Sequence, residues 1–242
     1  MFISRKVVRS FLCQIIYFLI MELENINAFV FDAYGTLFDV NSAAENCKNK
    51  IGSKWEMFSI FWRTTQLEYT WVRTLMRSHK DFWKITEDSL DHSMKVFNIE
   101  LGLRNELLDL YKKLKPYKEV KKTLEILKSK NKKLAILSNG TPDLLNDLVR
   151  INNLDNVFDD LFSIEEIKIY KPDPRVYEIP LKKYSCKPEN ICFFSSNTWD
   201  VAGAGIFGYQ SIWVNRFNKN YDKFNYKPSF IFKSLNEILE LI

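Results

Sequence analysis

Apolar and polar positions change rhythm twice along the chain. Asn27 to Phe31 form a compact apolar run and read as a buried strand. From about Asn41 to Leu114 the spacing becomes helical, with almost no strand signal. That tract is rich in aromatics and contains four of the six tryptophans, Trp55, Trp62, Trp71 and Trp83. Pro116 closes it, and strand and helix patterns then alternate. A helix over Glu119–Ser129 leads to the strand KLAILS, and Thr141-Pro142 opens the next helix as N-cap and first helical residue. A short strand near Leu161–Ser163 precedes a helix after Pro174. The strand ICFFS comes before a helix from Trp199, and SIWVN follows it. A last strand and a helix capped by Ser234 end the chain.

Strands separated by helices at this spacing predict βαβ units, and therefore an α/β fold with a doubly wound, mostly parallel sheet. The helical tract interrupts this pattern after the first strand, so it reads as an inserted cap. The expected boundaries are a core of residues 21–38 and 117–242, a cap of residues 39–116, and an extension of residues 1–20 outside the fold. In such sheets ligands bind beyond the carboxyl ends of the strands. Three strands end there in polar residues: Asp32, Ser138-Asn139 and Ser195-Ser196-Asn197.

Composition narrows the function. The 242 residues are 46% hydrophobic and 27% charged, which is ordinary for a globular protein. The net charge of +5 comes largely from lysine runs such as KKTLEILKSKNKK, and no basic patch coincides with a nucleic-acid-reading motif. Nucleic acid is therefore not expected as a partner. Four scattered cysteines, Cys13, Cys47, Cys186 and Cys192, lack metal spacing and suggest reduced thiols in the cytosol. The only histidines are His79 and His92, too few and too poorly placed for a Ser-His-Asp or Cys-His enzyme. The first twenty residues carry Arg5, Lys6 and Arg9 before SFLCQIIYFLI, a run short for a membrane span and without a small-residue cleavage site. The preferred reading is an extension upstream of a functional start at Met21; the alternative is an uncleaved membrane anchor.

Asp32, alone at a strand end, has two readings. It is a turn or helix cap, or it is a carboxylate nucleophile in a tight turn made by Gly35, with the Thr36 hydroxyl beside it. Lys171, in IYKPDPRVY, is either a surface lysine before a helix or an ammonium that keeps Asp32 ionised. Neither residue decides the matter alone. Together, FDAYGT, LSNG, YKPDPRVYE and SSNTWD, in this order and with a helical insertion after the first, resemble the haloacid dehalogenase superfamily. More narrowly they resemble its L-2-haloacid dehalogenases, as does the cap segment FWRTTQLEYTWVRTLM. The similarity runs from about Asn27 to the C-terminus.

The resemblance implies a role for each matching residue. Asp32 would be the nucleophile, hydrogen-bonded by Thr36 and paired with Lys171, and Arg63 on the cap would receive the departing halide. Ser138 and Asn139 would bind the substrate carboxylate, and Tyr177 would support the lysine end of the site. Ser195, Asn197 and Asp200 would fix Lys171 and place the hydrolytic water. Tyr34, Leu67, Phe82 and Trp199 would wall the alkyl group. Thr64 departs from the pattern, since the subfamily usually has glutamine there, and this bears on substrate size and affinity.

Tyr34 stands where phosphatases of the superfamily carry a second aspartate, the acid that protonates an alkoxide leaving group. Halide leaves without a proton, so a tyrosine suffices. Ser196 likewise stands near the place of an acid expected in magnesium-dependent members, so no metal and no cofactor are expected. The implied activity is hydrolysis of short L-2-haloalkanoic acids to 2-hydroxy acids through an aspartyl ester. The partner is then a small halogenated carboxylic acid, and an aromatic-rich cap offers a surface for a homodimer. The competing readings are a phosphatase of the same fold and a catalytically silent binding protein.

Overall fold

The computed structural model describes residues 25–242. The sequence reading of residues 1–20 lies outside the described residues. β1 (Ala28–Phe31) is buried on both faces and occupies the centre of a six-stranded sheet. The other strands are β2 (Leu134–Ser138), β3 (Asp160–Ser163), β4 (Ile191–Ser195), β5 (Gln210–Val214) and β6 (Phe230–Phe232). All neighbours pair in parallel, in the order β3-β2-β1-β4-β5-β6. Strands covered by helices on both faces read as continuous apolar runs, as AFVF, LAILS and ICFFS do. Phe31 and Phe194 stack across the β1–β4 pair with ring centroids 4.7 Å apart.

The chain builds outward from β1 to β3, crosses back to β4 and builds outward again. Strand order therefore reverses at β1 and β4, and the connections diverge there to leave a crevice at the carboxyl ends. Asp32 is the first residue past β1, and its amide donates to Phe194 O at 2.9 Å. The functional-site expectation and the topology thus point to one place.

Between Phe38 and Pro116 the chain forms the helices α1 (Ser42–Asn46), α2 (Lys48–Ile51), α3 (Trp55–Leu75), α4 (Phe82–Phe97) and α5 (Arg104–Tyr111). The way out and the way back lie side by side. Phe38 and Pro116 form an antiparallel bridge, flanked by Asp39 N donating to Lys115 O at 2.8 Å and Tyr117 N to Leu37 O at 3.0 Å. Beyond it follow α6 (Val120–Ser129), α7 (Pro142–Ile151), α8 (Pro174–Tyr184) and α9 (Thr198–Phe207). Among the described residues no helix is long and apolar enough to cross a membrane.

Local chemistry explains the helix starts. Thr141 is extended and its side chain accepts from Leu144 N, with Pro142 at the first helical position. Asp173 and Pro174 repeat the arrangement at α8. The end of the chain differs from expectation. Residues Leu235–Glu240 form a 3-10 helix, and the side chain of Ser234 makes no cap hydrogen bond. Its buried residues, Leu235 and Ile238, are three apart, a spacing that one face of a 3-10 helix presents directly to the core.

Gly203 sets how closely α9 approaches α8. A Cβ there would lie 2.7 Å from both Pro172 Cβ and the Tyr177 hydroxyl. Gly203→Ala gains up to about 1 kcal/mol of helix propensity but meets an overpacking cost of about 1–3 kcal/mol. A lowered urea midpoint is expected. Gly102→Ala, whose nearest neighbour would be Glu100 Oε1 at 3.6 Å, is the near-neutral comparison.

Candidate active site

Asp32 lies at the head of a turn that Gly35 makes possible. Gly35 has φ +86, a left-handed conformation that costs a side-chain-bearing residue energy, and its amide donates to Phe38 O at 2.8 Å. The turn brings Thr36 back beneath Asp32. Thr36 Oγ1 donates to Asp32 Oδ2 at 2.9 Å and itself accepts from Ser196 N at 2.8 Å. Because its acceptor side is occupied, the hydroxyl proton is aimed at the carboxylate.

Asn197, the residue before α9, adds a second donor. Its Nδ2 lies 2.9 Å from Asp32 Oδ2 and 3.4 Å from Tyr34 O. Asn197 occupies the N-cap of α9 without making a side-chain cap bond, so its amide serves the carboxylate where it could have served the helix. A side-chain cap is worth roughly 1 kcal/mol, which measures what this helix forgoes.

Lys171 completes the cage. Its Nζ lies 3.2 Å from Asp32 Oδ1 and 2.9 Å from Asp200 Oδ2, and it sits 4.9 Å above the Phe193 ring. The lysine side chain is 0% exposed, and those of Asp32 and Asp200 are 7% and 0% exposed. Tyr177 is fully buried, and its hydroxyl donates to Asp200 Oδ1 at 2.7 Å. One buried cation therefore faces two carboxylates. Burial pushes the Asp200 carboxyl up to about 6; the Lys171 charge opposes that shift and the Asp32 charge adds to it.

The polar residues after β2 close the other side. Ser138 Oγ accepts from Gly140 N at 3.0 Å, which leaves its O–H free to donate. Asn139 Oδ1 accepts from Lys171 N at 3.1 Å, so its Nδ2 is the free end. Both residues are buried. Tyr34 is buried as well, in contact with Phe82 at 5.0 Å and Tyr111 at 5.7 Å between ring centroids. Burial first, then the neighbouring Tyr111 and Asp32, push its phenol well above its ordinary value against the pull of Arg63. It remains a neutral phenol at any working pH.

Arg63 reaches this loop from α3. Nη2 donates to Tyr34 O at 3.2 Å and Nη1 to Gln66 Oε1 at 2.8 Å. Its neighbours one turn away are the buried Ser59 and the half-buried Leu67. Trp199 is half-buried and packs edge-on against Trp71 of α3, with ring centroids 5.5 Å apart. A cleft of about 360 Å³ opens between α3 and the core beside Arg63, Thr64, Asn197, Trp199 and Arg216.

Asp32, Thr36, Lys171, Tyr177, Asn197 and Asp200 thus form one hydrogen-bonded group. Ser195 stands apart from Lys171; its hydroxyl accepts from Asn197 N at 3.1 Å and so acts on the site through that residue. The sequence reading missed Gln66 and Tyr111. Gln66 is 1% exposed, accepts from Arg63 and donates to Thr86 Oγ1 at 2.6 Å and to the Tyr111 hydroxyl at 3.1 Å. The signal was present for Gln66, which lies three residues after Arg63 on one helix face. Among the described residues, no three His, Cys, Asp or Glu side chains converge as a metal site would require.

The model of the haloacid dehalogenase-like hydrolases matches residues 26–208. The chain belongs to that family. Within the haloacid dehalogenase-like hydrolases it is 42% identical over 223 residues to (S)-2-haloacid dehalogenase 1 of Pseudomonas sp. strain CBS-3, covering 91% of this chain and 98% of that one. It is 42% identical over 196 residues to (S)-2-haloacid dehalogenase 4A of Burkholderia cepacia, covering 80% and 85%. The solved structure of the L-2-haloacid dehalogenase from Xanthobacter autotrophicus with chloropropionic acid covalently bound superposes with a TM-score of 0.83 at 30% identity, covering 89% and 98%.

The buried triad gives a stability test. Lys171→Met leaves two carboxylates without their cation, and breaking such a pair costs about 3–5 kcal/mol. Urea unfolding at pH 8 should show a loss of that order. The difference from the unaltered chain should shrink toward pH 5, as protonation neutralises carboxylates that no ammonium balances.

Proposed function

We propose that this chain hydrolyses short L-2-haloalkanoic acids to 2-hydroxy acids, with Asp32 as nucleophile and no metal ion. The unequal hydrogen bonding of the two Asp32 oxygens carries the proposal. Oδ2 accepts from Thr36 and Asn197, whereas Oδ1 accepts only from Lys171, at 3.2 Å. The less encumbered Oδ1 attacks C2 in line. A C–O bond forms as the C–halogen bond breaks, the halide leaves with the electron pair, and C2 inverts.

The second step uses the other oxygen. Water attacks the ester carbon, Cγ of Asp32, and negative charge develops on Oδ2, where the Thr36 hydroxyl and the Asn197 amide already point. Asp200 receives a proton from the water; burial raises its carboxyl above the ordinary range, which makes it a stronger base than an exposed one. The Cγ–Oδ1 bond breaks, the alkoxide takes the proton back from Asp200 to leave as the 2-hydroxy acid, and the regenerated Asp32 carboxyl releases its remaining proton to solvent. Lys171 pairs with Asp32, and Tyr177 and Ser195 position Asp200 and Asn197. Ser138 and Asn139 hold the substrate carboxylate with their free donors. Arg63 accepts the halide, and Tyr34, Leu67, Phe82 and Trp199 wall the alkyl group.

The covalently bound chloropropionic acid in the Xanthobacter relative supports the ester. The Tyr34 phenol supports dehalogenation over phosphate-ester hydrolysis, because a group held well above its ordinary pKa is a poor proton donor to a leaving alkoxide. In this reading residues 39–116 are a cap domain over a core of residues 21–38 and 117–242. Free thiols at Cys47, Cys186 and Cys192 support the cytosol as its compartment.

The test is a single turnover of L-2-chloropropionate with excess enzyme in heavy-oxygen water and EDTA. Light oxygen is expected in the product hydroxyl, with label in the peptide containing Asp32, and the D isomer should remain intact. Labelled first-turnover product with unlabelled Asp32 would make Asp32 a general base, and a loss of rate that magnesium restores would reject the metal-free site. Arg63→Lys should lower turnover on the order of tenfold, since lysine lacks the two-pronged donor. Arg77→Lys, at an exposed residue beyond the end of α3, should match the unaltered chain, and equal mild effects at both would remove Arg63 from the reaction.

A further inference from the structure

Arg216 lies two residues past β5 and touches neither Asp32 nor Lys171, yet its side chain is only 10% exposed. Its guanidinium makes three kinds of contact at once. Nε donates to Glu119 Oε1 at 2.7 Å, with Nη2 2.7 Å from the same oxygen. Nη1 donates to Ser196 Oγ at 3.0 Å. The plane lies over the Tyr117 ring at 4.1 Å. Tyr117 and Glu119 belong to the segment by which the chain returns from the inserted helices, and Tyr117 N is tied to Leu37 O at 3.0 Å.

Ser196 is the joint between this arginine and the nucleophile. Arg216 holds its hydroxyl, the Trp213 indole donates to its carbonyl at 3.3 Å, and its own amide donates to Thr36 Oγ1 at 2.8 Å. That last bond directs the Thr36 proton to Asp32 Oδ2 at 2.9 Å. We propose that Arg216 is a positioning residue that ties the segment returning from the inserted helices to the hydrogen bond on Asp32 Oδ2, acting through Ser196 and Thr36.

An ion pair with Glu119 alone would need only a charge. The planar fork does more, since it satisfies Glu119, Ser196 and the Tyr117 face in one geometry, which a lysine cannot reproduce. The inference rests on the reading of Asp32 as nucleophile, because Oδ2 matters to the rate only where it carries the developing charge of ester hydrolysis.

A double-mutant cycle on halide release from L-2-chloropropionate tests it. Arg216→Met should lower kcat on the order of tenfold with a smaller change in KM, and Arg216→Lys should recover little of the loss. In the Thr36→Val background the hydroxyl is absent, so adding Arg216→Met should slow the enzyme by less than about twofold further. Multiplicative losses, or a full rescue by Arg216→Lys, would overturn the relay and leave Arg216 a stabilising ion pair. Should Arg216→Met not fold, the cycle with Arg216→Lys gives the same discrimination. No halide release from the unaltered chain would overturn the dehalogenase reading and this role with it, whereas an active chain indifferent to Arg216→Met would overturn this role alone.

Discussion

A single ammonium group, that of Lys171, is buried between two carboxylates, and most of the surrounding structure is arranged to make that tolerable. Removing each of these ions from water costs several kcal/mol, and mutual attraction offsets this only when the geometry is fixed. The geometry is fixed from every side. Asn139 holds the Lys171 backbone, Phe193 lies under its Nζ, and Tyr177 holds the far oxygen of Asp200. The neighbouring Tyr170 is secured to the insertion, its amide to Thr74 Oγ1 at 3.2 Å and its hydroxyl to Lys80 O at 2.7 Å. The parallel sheet makes this convergence natural, because β1, β2 and β4 all deliver their last residues to the same edge.

The inserted helices act on the site through a carbonyl. Tyr34 O accepts from Arg63 on α3 and from Asn197 before α9, so insertion and core meet on the backbone of the loop that carries Asp32. Behind Arg63 stands a buried polar row, Gln66 with Thr86 and Tyr111, drawn from three helices. Buried polar groups need partners, and here satisfying them also fixes where the guanidinium points.

The fold was legible in the sequence because its signals are local. AFVF, LAILS and ICFFS carry their own burial pattern, and Thr141-Pro142 marks a helix start with side-chain chemistry. Asp32, Thr36 and Lys171 were legible because each sits within a short motif at a strand end or ahead of a helix. Glu119, Tyr111 and Arg216 were not, since each acquires its place only when segments far apart in the chain meet. The contact of Arg216 with Glu119 spans 97 positions, and nothing in either neighbourhood announces the other. Ser195 shows the opposite limit. Its position in the motif was clear, but which neighbour its hydroxyl serves depends on the turn into α9.

Gly140 is the floor under Tyr34. A Cβ at that position would come within 2.8 Å of Tyr34 Cε2 and 3.0 Å of its hydroxyl, so the ring lies directly on bare backbone. The Tyr34 hydroxyl is buried without a hydrogen-bond partner, and the ring is wedged between Phe82 and Tyr111. With no room to sink and no polar tether to swing on, the ring is a fixed wall. Under the proposed role of Tyr34 as a wall for the substrate, adaptation to bulkier acids has to come from the side of α3 and Trp199, where side chains are only half-buried, because Tyr34 already rests on the main chain.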